Sequence, residues 1–397
     1  MSQPQPQGAF DPRYLIVLGA GATQFMIIGA IFAYGLFFSE LEREFGWSRT
    51  VLSMGTSFAF LLMGVLAIFC GRLNERFGPR KILLVTGTLY GLGYIILSRI
   101  TESWELVVYY TLFSAIGLGS HDVNTLSTVA RWFDKRRGIM TALVKTGTAC
   151  GQLTIPPLVA ILIVTFGWRT SFAVMGVASM VLLWIAAIPM RLPPKPANEA
   201  APLSGPSFEE ARRTRAFWTL CFAQLLFFPT LVTVPTHIAV HGQDLGLNEA
   251  RAALLLSVTA GLSILGRLMI GTLVDRLGSR SGYILCLTPL IISLVAYMLI
   301  TRSELLYFAA ALYGIGHGGL FTVVSPTIAE CFGMRAHASV FGVVVFFGSV
   351  GGAGGPIAAG WIFDVTGSYT WAFAGLAGFA TLALLLILSL KPNPQSA

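Results

Sequence analysis

The chain has 397 residues, of which 55% are hydrophobic and only 11% are charged, and its mean hydropathy is +0.75. Soluble domains carry about 25% charged residues, so this composition excludes an ordinary soluble protein and indicates an integral membrane protein. The net charge is +8. Its basic residues are distributed over short loops between apolar segments, which favours a topology signal over a nucleic-acid surface.

Twelve apolar segments along the chain are long enough to cross a bilayer, because a spanning helix needs about 20 mostly apolar residues. The first segment is too long for a signal-peptide core, so we predict that it is a spanning helix. The predicted fold class is an all-α membrane protein with twelve transmembrane helices. We predict spans at 14–38, 51–71, 82–98, 105–130, 138–165, 170–190, 217–240, 250–274, 282–300, 304–329, 338–363 and 370–390.

The connection 191–216 is longer than the others and is rich in proline, alanine and charge, so it divides the spans into six and six. We predict an N-terminal half at 1–195, a cytoplasmic linker at 196–215 and a C-terminal half at 216–397. The halves repeat one another, since GRLNERFGPR at 71–80 matches GTLVDRLGSR at 271–280. Two related halves predict a binding site near the bilayer midplane, where the halves meet.

The placement of lysine and arginine predicts the orientation of the chain. If both termini lie on one side, 18 lysines and arginines fall on that side and six fall on the other. Cytoplasmic loops carry the excess of basic residues, so we expect both termini in the cytoplasm and the protein in the inner or plasma membrane.

Arg267 lies inside an apolar segment with no acidic residue three or four positions away. An arginine at this depth costs at least about 2.5–3.5 kcal/mol, so ionisable residues in spans face the bundle interior and mark functional sites. Its planar donor fork suits a carboxylate, and Ala67 occupies the repeat-equivalent position. We predict that Arg267 anchors a small organic anion. The alternative is that Arg267 pairs with another helix, or reaches the interface, to hold the fold.

Lys145 and Asp122 are the other charged residues deep in spans. They lie at similar depth in an antiparallel pair of helices, so an ion pair between them is predicted, and substrate or protons would compete for the lysine. Lys145 either assists Arg267 in binding a carboxylate or extends its amine toward the cytoplasm. Asp122 is either a static counter-ion or the proton acceptor.

Several other polar residues in the spans are candidates for substrate or proton binding. The histidine side chain can titrate near physiological pH, so His121 and His317 are candidates for proton coupling, although packing is the alternative for both. Hydrogen bonds to substrate are predicted for Tyr34, Asn124 and Tyr313. The sequence contains no nucleotide fingerprint, metal cluster or catalytic triad, so we expect no cofactor, no metal and no enzyme activity.

The loops after the second and eighth spans resemble the signature of the major facilitator superfamily, with GxLxDRxG-type sequences in both halves. The resemblance implies two six-helix halves in which the acidic residue and the arginines of this loop lock helix ends in one conformational state. The gating residues that it implies are Glu75, Arg76, Arg80, Asp275, Arg276 and Arg280.

Two stretches are similar to the monocarboxylate transporters within that superfamily. They are RWFDKRRGIMTALVKTG at 131–147 and the eighth-helix RLMIG at 267–271, whose arginine binds the substrate carboxylate in that family. Three features of the family are missing here: its first-helix acidic-Gly-Gly-Trp-Gly-Trp signature, the first-helix lysine of its animal members, and the acidic residue one turn before the arginine, where this chain has Ser263. The resemblance indicates a bacterial homologue of these transporters.

We therefore predict a secondary active transporter for a monocarboxylate such as lactate or pyruvate, coupled to protons and acting as a monomer by alternating access. Two alternatives keep the same fold. One is a carboxylate exchanger of the oxalate–formate type, and the other is an exporter of a drug-like compound. The predicted partners are the carboxylate, protons and the lipid bilayer, with no nucleic acid.

Overall fold

All regular structure in the part of the chain that the computed structural model describes, residues 11–47, 49–193 and 205–390, is helical. The N-terminal half consists of α1 (Arg13–Ala33), a 3₁₀ turn (Tyr34–Phe37), α2 (Phe38–Phe45), α3 (Arg49–Phe77), α4 (Pro79–Leu97), α5 (Ser103–Trp132) and α6 (Arg137–Ala187). The linker contributes the short α7 (Phe208–Ala211). The C-terminal half consists of α8 (Arg215–Asp244), α9 (Glu249–Leu277), α10 (Ser279–Leu299), a 3₁₀ turn (Ser303–Leu305), α11 (Leu306–Phe332), α12 (His337–Thr366) and α13 (Thr370–Leu388).

Helix α6 contains two predicted spans joined end to end. Its 51 residues would extend about 76 Å as one straight helix, more than twice the thickness of the hydrocarbon core. The helix is interrupted at Gly167, where φ is 77°. This left-handed conformation strains residues that carry a Cβ, and glycine permits the chain to turn back there. The break thus falls between the predicted spans 138–165 and 170–190.

Ten helices within the described ranges are long and apolar enough to cross a membrane. Helix α6 is one of the ten although it contains two spans. Helix α5 is not among them because its second half carries His121, Asp122 and Asn124 among several hydroxyl side chains. With α6 divided at Gly167 and α5 included, the structure has twelve spans. The predicted fold class is confirmed.

Close helix crossings join the halves along two lines, α3 against α12 and α6 against α9. A Cβ on Gly71 would lie 2.4 Å from the carbonyl oxygen of Ala338, and a Cβ on Gly138 would lie 2.2 Å from that of Gly271. Glycine is therefore needed at both crossings, as is common where membrane helices pack closely. The half and linker boundaries stay predictions, and the one at 195/196 lies outside the described residues.

Candidate functional site

Arg267 is buried at the crossing of α9 and α6, with 2% of its surface exposed. Its Nη1 donates to the main-chain carbonyl of Lys145 at 3.1 Å, and its Cζ lies 5.7 Å from the ring centroid of Phe321 on α11. Its Nε has no hydrogen-bond partner, and no carboxylate forms a salt bridge with it within the described ranges. A buried guanidinium with a free donor edge is a ready site for an anion.

The position of Arg267 follows from the small residues around it on α9. Gly271, one turn further along, packs against Ala142 of α6, and Gly266 packs against the main chain of Ile315 on α11. These contacts bring three helices from both halves together around the long side chain. Ser263, one turn earlier, takes the place of an acidic residue and contacts Nδ1 of His317 through its hydroxyl at 3.2 Å.

Lys145 and Asp122 form a close ion pair next to this crossing, with Nζ 2.5 Å from Oδ1. The lysine is 4% exposed and the side chain of Asp122 is 20% exposed. Gln24 of α1 also donates to Oδ1, at 2.7 Å. Within the described residues no hydrogen bond reaches Oδ2, so one oxygen of the carboxylate remains available to a proton or a donor group.

The ion pair gives the first prediction, which concerns stability. Replacing Lys145 by methionine leaves the carboxylate of Asp122 in a low-dielectric site without its cation, so we expect a loss of about 3 kcal/mol. The melting temperature in detergent should fall accordingly. Asp122→Asn combined with Lys145→Met should recover most of that loss, because no unpaired charge then remains. A double variant as unstable as Lys145→Met alone would contradict a buried ion pair.

The two candidate histidines lie in different halves of the chain, His121 on α5 and His317 on α11. His121 places Nε2 3.5 Å from Oδ1 of Asp122, while its Nδ1 is 2.5 Å from the carbonyl of Leu118. His317 packs its ring against Phe321, with centroids 5.1 Å apart. Lys145 and Arg267 flank the same Phe321 ring, which the sequence analysis did not identify. Phe321 lies about one helical turn after His317 on α11, and this spacing could have indicated that the two rings share a face of the helix.

Three predicted substrate-binding groups make hydrogen bonds to the main chain. Tyr34 donates to the carbonyl of Leu52 at 3.0 Å, and Tyr313 donates to that of Thr230 at 2.8 Å. The Nδ2 of Asn124 donates to Ser120 at 2.9 Å, while its Oδ1 has no partner. The structure does not bring these three groups into contact with Arg267, and their roles stay predictions.

The acidic residues of the repeated loops bind helix N-termini in the opposite half. Glu75 accepts from the main-chain N–H and the hydroxyl of Ser339, at 3.0 and 2.7 Å, at the start of α12. Asp275 accepts from the N–H groups of Gly138 and Ile139, at 2.6 and 3.0 Å, at the start of α6. A carboxylate is favourable at a helix N-terminus because it satisfies free N–H groups and the helix dipole.

The arginines of these loops have other neighbours. Arg76 stacks over the ring of Phe77, and Arg280 donates to the carbonyl of Leu388 at 2.5 Å. No ion pair with the loop carboxylates is found for Arg76, Arg80, Arg276 or Arg280 within the described ranges. The gating role that the resemblance implies for the four arginines stays a prediction.

All hydrogen bonds between the halves, among the described residues, lie at the level of Arg267 or toward the end of the bundle that carries the chain termini, here called the termini end. These bonds join the halves at the termini end.

The described residues contain no group of three or more metal-ligating side chains, and all five cysteines are free. Two related helical halves that meet around buried charged side chains define a membrane transporter. The chain belongs to the major facilitator superfamily, whose family model matches residues 20–303 and 233–397.

Curated relatives include several monocarboxylate transporters. Monocarboxylate transporter 13 of Rattus norvegicus is 27% identical over 384 residues, covering 94% of this chain and 87% of the relative. Monocarboxylate transporter 11 of Homo sapiens is also 27% identical over 384 residues, covering 93% and 81%. The chain is thus similar to the monocarboxylate transporters. The family and these relatives are transporters, so the chain is a transporter and not an enzyme.

Solved structures match in fold at low sequence identity. The proton:xylose symporter XylE aligns with a TM-score of 0.75 at 13% identity, covering 96% of each chain. FucP in an outward conformation aligns with a TM-score of 0.73 at 13% identity, covering 96% of this chain and all of the other. These structures support the major facilitator fold.

Proposed function

We propose that the chain is a proton-coupled symporter that carries a small monocarboxylate, such as lactate or pyruvate. The observation that carries the proposal is the buried guanidinium of Arg267, which has no acidic partner within the described residues. Its Nη1 is occupied by a main-chain carbonyl, while Nε is free. The Nε–Nη2 edge is therefore the fork that would bind both oxygens of a carboxylate.

The charge of the site favours a substrate with one negative charge. Lys145 is neutralised by Asp122, so Arg267 leaves the site with one uncompensated positive charge. A monocarboxylate would neutralise that charge. While Asp122 is ionised and paired with Lys145, a dicarboxylate would leave a buried negative charge without a partner, which is costly in a low-dielectric environment.

Asp122 is the proposed proton acceptor. Its Oδ2 is free of hydrogen bonds in the described residues, and its side chain is partly exposed. Protonation of this carboxylate would release Lys145 as a second cation beside Arg267, which would strengthen binding of the anion. Proton and substrate would then bind cooperatively, as symport requires.

Transport would proceed by alternating access, with the termini end on the cytoplasmic side as the lysine and arginine distribution predicts. One chain carries all the residues that the proposal uses, so a monomer suffices. The state with the termini end closed would be held by Glu75 and Asp275 at the two helix N-termini.

The gate gives a second prediction. Glu75→Gln removes a charged acceptor that is used only when the termini end is closed, so we expect the ratio of open to closed molecules to rise about tenfold or more. The measurement is the distance between spin labels at Lys135→Cys and Arg335→Cys, exposed positions on the loops before α6 and α12. The background carries Cys150→Ser, because Cys150 is the exposed native cysteine.

Double electron–electron resonance should show a longer-distance population in Glu75→Gln. Asp275→Asn should also increase the longer-distance population, because Asp275 binds the N-terminus of α6, the helix equivalent to α12. The matched control is Glu304→Gln, at an exposed carboxylate near the opposite end of the bundle. Unchanged distances in both gate variants would contradict the proposed gate.

Transport is tested with purified protein in liposomes. We expect radiolabelled lactate or pyruvate to accumulate when the external pH is lower than the internal pH, and accumulation to cease when a protonophore collapses the gradient. A carboxylate exchanger would instead need internal substrate and would ignore the pH gradient. Absence of uptake and of exchange for a panel of monocarboxylates would overturn the proposal and leave export of a drug-like compound to be tested.

A further inference from the structure

His337 is fully buried at the termini end, in the first turn of α12, where both halves contact its ring. Nδ1 lies 3.0 Å from the hydroxyl of Ser127 on α5, in the N-terminal half. Nε2 lies 3.0 Å from the main-chain carbonyl of Ser325 on α11, in the C-terminal half. The imidazole therefore links the halves at the contact that must break when this end of the transporter opens.

The two contacts fit a neutral ring. A carbonyl oxygen only accepts, so Nε2 carries the hydrogen, and Nδ1 then accepts from the hydroxyl of Ser127. A second proton would have to sit on Nδ1, and the hydroxyl of Ser127 would then have to turn and accept from it. Both polar atoms of the neutral ring are satisfied at zero exposure, whereas the charged ring would be buried without hydration and, among the described residues, without a carboxylate partner.

The charged groups around His337 also oppose a positive ring. Arg131 of α5 and Arg137 of α6 both act electrostatically on the ring. The residue of α11 that contacts the ring is Ser325, which is uncharged and cannot compensate a positive ring. Glu75 of α3 is bound to Ser339, two residues further along α12, and so does not pair with the ring.

The matching position in the first half uses a different residue. With the repeat offset of 200, Arg137 at the start of α6 is the residue equivalent to His337 at the start of α12. Arg137 is permanently charged, donates to the carbonyl of Ala130 and pairs with Asp134 at 2.7 Å. The chain thus places a titratable group at one of two equivalent helix starts, and that group is the one buried between the halves.

We infer that His337 makes closure of the termini end depend on pH. In the closed state the ring is neutral and holds both halves. In the open state water reaches the ring, which takes up a proton at its ordinary pH range and then opposes closure. Because the proton binds the open state more strongly, falling pH favours the open state, by up to about tenfold per pH unit.

In the cell, acidification on the cytoplasmic side would then hold the carrier open to that side and slow its return for external substrate. This inference rests on the alternating-access step of the proposed function and not on its carboxylate substrate. Failure of the transport assay and failure of the gate are therefore distinguishable.

The test uses the same pair of spin labels in substrate-free protein, titrated from about pH 8 to about pH 5.5. We expect the open population to rise severalfold on acidification in the parent protein, with a midpoint in the imidazole range. His337→Asn offers a donor and an acceptor but no titration, and should abolish the rise. His241→Asn, at a buried histidine near the end of α8 in the same half, should retain it.

His337→Gln provides a second test if the asparagine variant does not give a monodisperse protein on gel filtration. A parent protein whose distances do not change with pH would overturn the inference. The same conclusion would follow if the rise persisted with an unchanged midpoint in His337→Asn or His337→Gln, since another group would then be responsible.

Discussion

Replacement of Arg267 by glutamine is expected to raise the KM for the carboxylate about a hundredfold or more. A bidentate, charge-assisted interaction in a dry site contributes about 3 kcal/mol, and each 1.4 kcal/mol corresponds to a factor of ten. Arg267→Lys keeps the charge but loses the planar fork, so a smaller loss of about tenfold is expected. Initial rates of radiolabelled uptake into proteoliposomes measure both variants.

Thermal stability distinguishes binding from a structural role. The charge of Arg267 has no carboxylate partner in the described structure, so its removal should leave the melting temperature unchanged or raise it. The matched control is Arg302→Gln, at an exposed loop position, which should leave KM unaltered. A destabilised Arg267→Gln protein that retained the parent KM would show that the arginine serves the fold.

The second large effect is expected for Asp122→Asn. An asparagine cannot take up the proposed proton, so a pH gradient should no longer drive accumulation. In the parent protein a gradient of two pH units can support up to about a hundredfold accumulation, and this ratio should fall to about one in the variant. Exchange of labelled internal for unlabelled external substrate needs no net proton movement and should continue.

Lys145 is left without its counter-ion in Asp122→Asn, so the variant should also bind the anion at alkaline pH, where the parent protein binds it weakly. Asp134→Asn is the control, because this carboxylate is exposed and pairs with Arg137 outside the site. Proton-driven accumulation that survived in Asp122→Asn would assign coupling elsewhere, with His121 and His317 as the remaining candidates.

The sequence predicted the fold because the signals involved are local. Apolar segments specified the helices, and the loops at 71–80 and 271–280 showed that the halves are related. The sequence also predicted that Arg267 faces the interior of the bundle, because a guanidinium in an apolar segment avoids lipid, and the side chain is buried there. Lys145 and Asp122 were expected to be close because they lie at similar depth in an antiparallel pair of helices, and their side chains are in contact.

The contacts between halves could not be predicted, because they depend on the rotation and depth of each helix. Sequence reasoning left the hydroxyls of Tyr34 and Tyr313 available to substrate, whereas both bind main-chain carbonyls. His337 was overlooked at the boundary between a loop and a span. Its correspondence with Arg137 was visible in the repeat, but its burial requires α5 and α11 to close over it.

Arg267 donates to a peptide oxygen of residue 145 and not to a side chain. Every amino acid supplies that oxygen, so the anchor is insensitive to which residue occupies position 145. Homologous carriers could therefore exchange the lysine for another side chain, and so alter cargo or ion coupling, while the arginine keeps its orientation. Cargo and ion coupling can thus diverge at this position while the orientation of the arginine is conserved.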